Sequence, residues 1–196
     1  MGIDWNGIVV GQLQFYWSSI FRPRLGGLTD DEYFWEPVEG CWSLRRGDDG
    51  AFHLDGGEGP EPSPPPFTTI AWRLVHIGVG FATRASAFFG DSNVPADASM
   101  FDPRRVPGSL PGSAAEGLAF LDRVYAWWTD GIAALSDDEM ATPLGPRGAY
   151  FANDPMGALV VHINRETMHH GAEICLLRDL YRASGAASRD SRFAPR

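Results

Sequence analysis

Apolar side chains recur with the period of an α-helix over four long stretches of the chain. The stretches cover residues 4 to about 22, 70–89, 113 to about 135, and 154 to about 183. The second has the clearest apolar row, which consists of Ile70, Leu74, Ile77, Phe81, Ala85 and Phe88. Four long helices with only weak strand signals predict an all-α protein, a four-helix bundle.

Residues with known capping roles precede each predicted helix. They are Asp4, Thr68-Thr69, Ser113 with Glu116 three positions later, and Asp154 followed by Pro155 at the first helical position. Pro23 and the pair Gly26-Gly27 are expected to end the first helix. Thr29 and Glu32 have the spacing of a capping box, which predicts a further short helical turn.

The segments between the helices carry turn signals. Residues 41–44 and 51–54 flank a Gly-Asp-Asp-Gly turn, which predicts a small hairpin-like excursion. Residues 56–66 are rich in Gly, Pro and Glu and predict a surface loop. Residues 90–112 form a long loop of the kind that often borders a binding site.

The 196-residue length fits a single domain, expected over residues 4–183, with residues 184–196 as a flexible C-terminal tail. A net charge of −9 opposes binding to nucleic acid and to anionic membranes. The sequence shows no signal-peptide pattern and no apolar run long enough for a bilayer, so a cytoplasmic location is expected. In that compartment Cys41 and Cys175 are expected to be free thiols.

The fourth predicted helix contains the most informative chemistry, because Glu166 and His170 lie one turn apart. On a helical wheel both fall within the apolar stripe defined by Leu159, Ile163, Ile174, Leu177 and Tyr181, and His162 and His169 fall toward its edge. An ionised carboxylate in such a stripe needs a partner, because its desolvation is costly. A glutamate and a histidine at this spacing can close on one metal ion.

A second interpretation remains open from spacing alone. Glu166 could pair with Arg73 or Arg84, and His170 could be an ordinary hydrogen-bonded core histidine. A third metal ligand has to come from another element, and the two histidines outside the last helix are His53 and His76. His76 lies on a regular helix, which favours precise ligation, although it is on a flank of that helix with Trp72, Val79 and Thr83.

Three segments together resemble the DinB-like superfamily, which includes thiol-dependent S-transferases. They are residues 72–77 (WRLVHI), residues 165–173 (RETMHHGAE) and residues 35–43 (WEPVEGCWS). The resemblance also includes the order of the long helices and covers most of the chain. It implies a DinB-like four-helix bundle.

The resemblance implies a metal site with His76, Glu166 and His170 as ligands, which is the ligand pattern of the mycothiol-dependent isomerase branch. His169 is the alternative to His170. The implied ion is a divalent metal, zinc first, with nickel, iron or manganese as alternatives. The cosubstrate would be mycothiol or another low-molecular-weight thiol, and a homodimer is expected.

Three functions remain open at this stage. The leading one is a metal-dependent thiol S-transferase or isomerase that acts on a small molecule. The others are a non-catalytic metal- or ligand-binding protein and a metal-dependent hydrolase in which the ion activates water and Glu173 or another carboxylate is the general base. Glu173 also marks a departure from the family pattern, because many members carry Gln or Asp at the comparable place.

Overall fold

The computed structural model describes residues 3–56, 62–90 and 93–186 and confirms the all-α four-helix bundle. In chain order the α-helices are α1 (Trp5–Tyr16), α2 (Arg22–Arg24), α3 (Asp30–Tyr33), α4 (Ile70–Phe89), α5 (Ala114–Ala133), α6 (Asp137–Met140) and α7 (Met156–Ala183). Two 3₁₀ segments, Pro103–Arg105 and Gly145–Phe151, lie in the connections. Part of the predicted tail, residues 187–196, and parts of the two predicted loops, residues 57–61 and 91–92, lie outside the described residues.

Helix α4 is central to the bundle and packs on both α5 and α7. Gly78 allows α5 to approach closely, because a Cβ at this position would collide with the ring of Phe120. The side chains with no more than 1% exposure include Leu13, Phe21, Leu74, Phe81, Leu121, Trp128 and Ile174, so all four long helices contribute to one core.

The first long helix extends further than the sequence predicts. After α1 the chain continues as a π-helical turn, Trp17–Phe21, and then as α2, which contains Pro23. The wider turn directly precedes the proline, whose missing N–H would otherwise interrupt a regular α-helix. Helix α2 ends at Arg24, and Gly26 and Gly27 lie in the turn that follows, where Gly27 has the positive φ of +71° that glycine tolerates.

The predicted hairpin is present, but its strands are short and the first one begins at Leu44, three residues later than expected. Strands β1 (Leu44–Arg46) and β2 (Phe52–Leu54) pair antiparallel, with Leu44 opposite Leu54 and Arg46 opposite Phe52. Cys41, expected at the start of the first strand, is buried outside it, and both cysteines are free thiols, as predicted. A β-bridge between Trp42 and Thr68 holds the hairpin beside the bundle, next to the start of α4.

A buried ion pair fixes α7 against α3, and the same arginine of α7 also binds α2 and the turn that follows it. Arg178 donates from Nε to Glu32 Oε1 at 2.7 Å and from NH2 to Glu32 Oε2 at 2.9 Å. The same guanidinium donates to the carbonyls of Arg24 and Gly26. Glu32 was expected to complete a capping box with Thr29. Thr29 does accept from the Glu32 backbone N–H, but the carboxylate instead binds Arg178.

The start of the last helix differs by one residue from the prediction. Pro155 is the N-cap of α7, and no side chain caps it. Asp154, expected to be the N-cap, instead accepts through its backbone carbonyl from the Leu144 N–H at 2.9 Å. Within the described ranges, no helix combines the length and hydropathy that a bilayer crossing requires.

Candidate metal centre

The groove between α4 and α7 brings His76, Glu166 and His170 together. One potential ligand atom from each residue lies within 4.8 Å of the other two. The imidazole rings of His76 and His170 meet edge to face, with centroids 4.9 Å apart. His170 Nε2 lies 3.5 Å from Glu166 Oε2. The structure therefore assembles the three side chains that the sequence singled out.

Glu166 and His170 are less buried than the helical wheel predicted. The Glu166 side chain is 35% exposed and that of His170 is 13% exposed. The buried face of α7 is centred instead on positions such as Ile163, Thr167 and Gly171, because α1 and α4 both pack on this helix. The two candidate ligands consequently lie on the edge of the buried stripe, where a small molecule can reach them from solvent.

His76 is held in its position by aromatic packing. Its ring stacks on Trp72 with a centroid distance of 4.8 Å and an interplanar angle of 9°. Burial, and to a lesser extent the neighbouring His170, lower the pKa of His76 to about 4. His76 is therefore neutral at pH 7, and a neutral imidazole has the lone pair that a metal ligand needs.

His170 is oriented by a carboxylate on the next turn. His170 Nδ1 lies 2.8 Å from Glu173 Oε2 and 2.9 Å from Arg73 NH1, and Arg73 also forms an ion pair with Glu173. Arginine can only donate, so Nδ1 cannot both accept from Arg73 and donate to Glu173. With the proton on Nδ1, His170 and Arg73 both donate to Glu173, and Arg73 NH1 and Nδ1 are two donors in close approach rather than a hydrogen-bonded pair. In this tautomer Nε2 is unprotonated on the side facing Glu166.

The alternative pairing of Glu166 with Arg73 or Arg84 does not occur among the described residues. Glu166 Oε1 instead lies 3.4 Å from Arg165 NH2 and 3.7 Å from His162 Nδ1. Arg165 is 67% exposed, so this contact is a weak, solvated one. The Glu166 carboxylate thus has only surface partners besides His170.

The two remaining histidines lie in different surroundings. His169 is 65% exposed and is 3.5 Å from Glu173 Oε1, and it forms a second candidate group with His170 and Glu173. His53 lies on β2, where Nε2 is 3.1 Å from Asp49 Oδ1 in the same hairpin. Of these two, only His169 is close enough to His170 to be an alternative ligand.

All three candidate ligands line an open groove of about 510 Å³, and two smaller cavities lie nearby. One, of about 230 Å³, has His76, Glu166 and Thr167 in its wall. The second, of about 340 Å³, is mostly apolar and reaches the loop residue Phe101. Arg84 and His162 line both. The predicted long loop therefore borders a cavity next to the site.

Some of the residues that surround the site had no recognisable signal in the sequence. Leu144 and Phe151, which line the larger cavity, come from an aperiodic segment and its 3₁₀ turn. The three-residue spacing of His170 and Glu173 places both on one face of a helix, so their contact could be predicted from the sequence. The ion pair of Arg73 with Glu173 could not, because it depends on how α4 packs against α7.

The protein is a helical bundle with a groove that histidine and carboxylate side chains line. The family model of the DinB superfamily matches residues 12–174, which include all three candidate ligands. The chain belongs to the DinB superfamily, and the resemblance seen in its motifs is confirmed. Comparison with curated proteins and with solved structures gave no match.

Proposed function

We propose that His76, Glu166 and His170 bind one divalent metal ion and that this site carries out chemistry on a small molecule. The observation that supports the proposal most strongly is the convergence of their ligand atoms within 4.8 Å across two helices. Two ligands of a tetrahedral zinc ion lie about 3.4 Å apart. The 3.5 Å between His170 Nε2 and Glu166 Oε2 is close to that value.

Zinc is the proposed ion because two imidazoles and one carboxylate form a donor set that zinc commonly takes. The same donors can bind nickel, iron or manganese, so these metals are the alternatives. Glu173 supports ligation by holding the Nδ1–H of His170, as carboxylates commonly do for metal-binding histidines. Three protein ligands at an open groove leave room for a further ligand.

The proposed reaction is either the transfer of a thiol's sulfur to a small electrophile or the thiol-dependent isomerisation of that electrophile. A bound divalent ion would lower the pKa of a coordinated thiol, so that the thiolate is present at neutral pH. The thiol's proton would leave to water, and its sulfur would form a bond to an electrophilic carbon. In a transfer, the displaced group leaves with its bonding electron pair. The chain's contribution is to hold three ligands in place and to enclose the reactants in the adjoining cavities.

The position of Glu173 argues against a hydrolase that uses Glu173 as its general base. A general base needs a free carboxylate within reach of the water it activates. The Glu173 carboxylate is engaged with Arg73 and with His170 Nδ1, on the other side of the imidazole from Nε2. This arrangement favours a positioning role for Glu173. A non-catalytic metal-binding protein remains the second candidate and makes the same use of the three ligands.

A thiol-dependence assay separates these functions. Zinc-loaded protein is mixed with the fluorogenic electrophile monochlorobimane and with mycothiol, bacillithiol, glutathione or no thiol. We expect turnover above the uncatalysed rate that requires a thiol and is lost in His76→Ala and Glu166→Ala, with His53→Ala as the unaffected control. Hydrolysis of a panel of esters and amides without any thiol would favour the hydrolase. Metal binding without turnover with any thiol would favour the non-catalytic protein.

A further inference from the structure

The larger cavity beside the candidate metal centre combines mostly apolar walls with one guanidinium, that of Arg84, one carboxylate, that of Asp154, and the imidazole of His162. Its volume of about 340 Å³ is large enough for a small organic molecule. The apolar part of its lining consists of Met100, Phe101, Leu144, Phe151 and Leu159. Arg84 lies where this cavity meets the smaller one that contains His76 and Glu166.

The guanidinium of Arg84 has no carboxylate partner among the residues that the structure describes. NH1 donates to the Thr83 hydroxyl at 2.8 Å, and the guanidinium carbon lies 4.9 Å from the centroid of the Phe101 ring. Its Nε is buried and has no hydrogen-bond partner. Burial lowers the pKa of Arg84, and no acidic group acts in the opposite direction.

Other buried arginines in the described part of the chain are compensated. Arg178 has the Glu32 carboxylate and two backbone carbonyls, and Arg73 has Glu173. Arg105 donates to three carbonyls and to the Ser86 hydroxyl. A desolvated cation without such compensation is costly. Its position in a cavity wall indicates that the missing partner is an anion brought by a ligand.

We propose that the larger cavity binds a small carboxylic acid with an apolar body, and that Arg84 binds its carboxylate. The aliphatic and aromatic walls suit the apolar body, and a guanidinium matches a carboxylate in charge and in geometry. Because Arg84 and His162 line both cavities, an acid bound in the larger one lies next to the smaller one, which His76 and Glu166 line. A small carboxylic acid is then the substrate class of the proposed reaction, a statement that rests on the proposed function. Binding of the acid itself does not need the metal.

Binding of a matched acid and amide tests the proposal. The affinities of 3-phenylpropionate and 3-phenylpropionamide are measured by calorimetry on the full chain. We expect the acid to bind roughly 10-fold or more tightly than the amide, as hydrogen bonds to charged groups allow. Arg84→Gln should abolish this preference, whereas Arg165→Gln, which changes an exposed arginine near the site, should retain it.

The same titrations on chelator-stripped protein and on His76→Ala distinguish this site from the metal. A carboxylate that binds through Arg84 keeps its Arg84-dependent affinity without metal. A carboxylate that instead binds a metal ion loses its affinity under these conditions, and that result would overturn the proposal. Failure of the metal or thiol experiments above leaves the stripped-protein result unchanged, so the two proposals fail separately.

Two further measurements protect the test against misfolding. Arg84→Met, which removes the unpaired cation, is expected to melt at or above the wild-type temperature and still lose the preference for the acid. In the wild-type chain labelled at methionine methyl groups, the acid is expected to shift the Met100 signal more than the amide does. Equal binding of acid and amide, acid binding by Arg84→Gln at wild-type affinity, or binding of neither compound at millimolar concentration would contradict the proposal.

Discussion

At the scale of single residues, two glutamates that lie two turns apart on α7 have different surroundings. Glu166 faces the groove and lies 3.5 Å from His170 Nε2, whereas Glu173 lies 2.8 Å from Nδ1 of the same ring. Glu173 is also paired with Arg73, which reaches across from α4. One carboxylate is therefore placed to bind an ion directly, and the other to orient the histidine that does so.

This difference gives a prediction for Glu173→Gln. The substitution keeps the shape of the side chain but removes the charge that holds the Nδ1–H of His170. We expect zinc affinity, measured by competition with a chromophoric chelator, to fall about 10- to 100-fold. Glu39→Gln, which changes an exposed glutamate on the chain segment before β1, is the matched control. Unchanged affinity in Glu173→Gln would remove the positioning role.

The buried imidazole of His76 gives a pH dependence of stability for the metal-free protein. Its pKa is about 4 in the folded chain, below the usual 6.5, mainly because of burial. The unfolded chain therefore takes up this proton first as the pH falls. The stabilising contribution is complete above about pH 6.5 and declines toward pH 4, with a total loss of up to about 3 kcal/mol.

Urea unfolding of chelator-treated protein between pH 7 and pH 4.5 measures this effect. The free energy of unfolding of the wild-type chain should decline more steeply with acid than that of His76→Gln, which cannot titrate. Parallel declines for the two proteins would show that His76 is not the group responsible.

At the scale of elements, the helix boundaries were more predictable than the helix faces. Helix α4 covers the predicted residues 70–89, because Thr69 caps its start and Gly90, with φ of +103°, follows its end. These signals are local in sequence. The burial of Glu166 was overestimated because the inward face of α7 is set by two neighbouring helices, α1 and α4, whose positions a single helical wheel does not contain.

Alanine substitutions at two glycines are expected to change the free energy of unfolding in opposite directions, because only one of the two lies in the close contact of α4 with α5. A Cβ at Gly78 would meet the Phe120 ring, whereas one at Gly11 in α1 has no neighbouring heavy atom within 4 Å. Gly78→Ala should lower the free energy of unfolding by about 1–3 kcal/mol through overpacking. Gly11→Ala should raise it by about 0.5–1 kcal/mol through better helix propensity.

Denaturant unfolding of the two variants, with helix content checked by circular dichroism, measures both effects. A neutral or stabilising Gly78→Ala would mean that the two helices can separate without cost, and the close contact at Phe120 would lose its importance for the fold.

At the scale of the whole molecule, the sequence predicted the bundle and the three converging side chains but not the walls of the site. The fold follows from helical periodicity, and the pair in α7 follows from its one-turn spacing. The larger cavity depends on residues such as Leu144 and Phe151, which meet only after the chain has folded. The homodimer remains a prediction, and analytical ultracentrifugation would test it.

The central claim is that His76, Glu166 and His170 hold one metal ion, and its most direct test is the metal content of purified protein. After zinc loading and desalting, mass spectrometry of the wild-type chain should give about one zinc ion per chain. His76→Ala, Glu166→Ala and His170→Ala should each lose most of it, and His169→Ala should retain it. Full zinc content in His76→Ala and Glu166→Ala, or equal losses in His169→Ala and His170→Ala, would contradict the assignment.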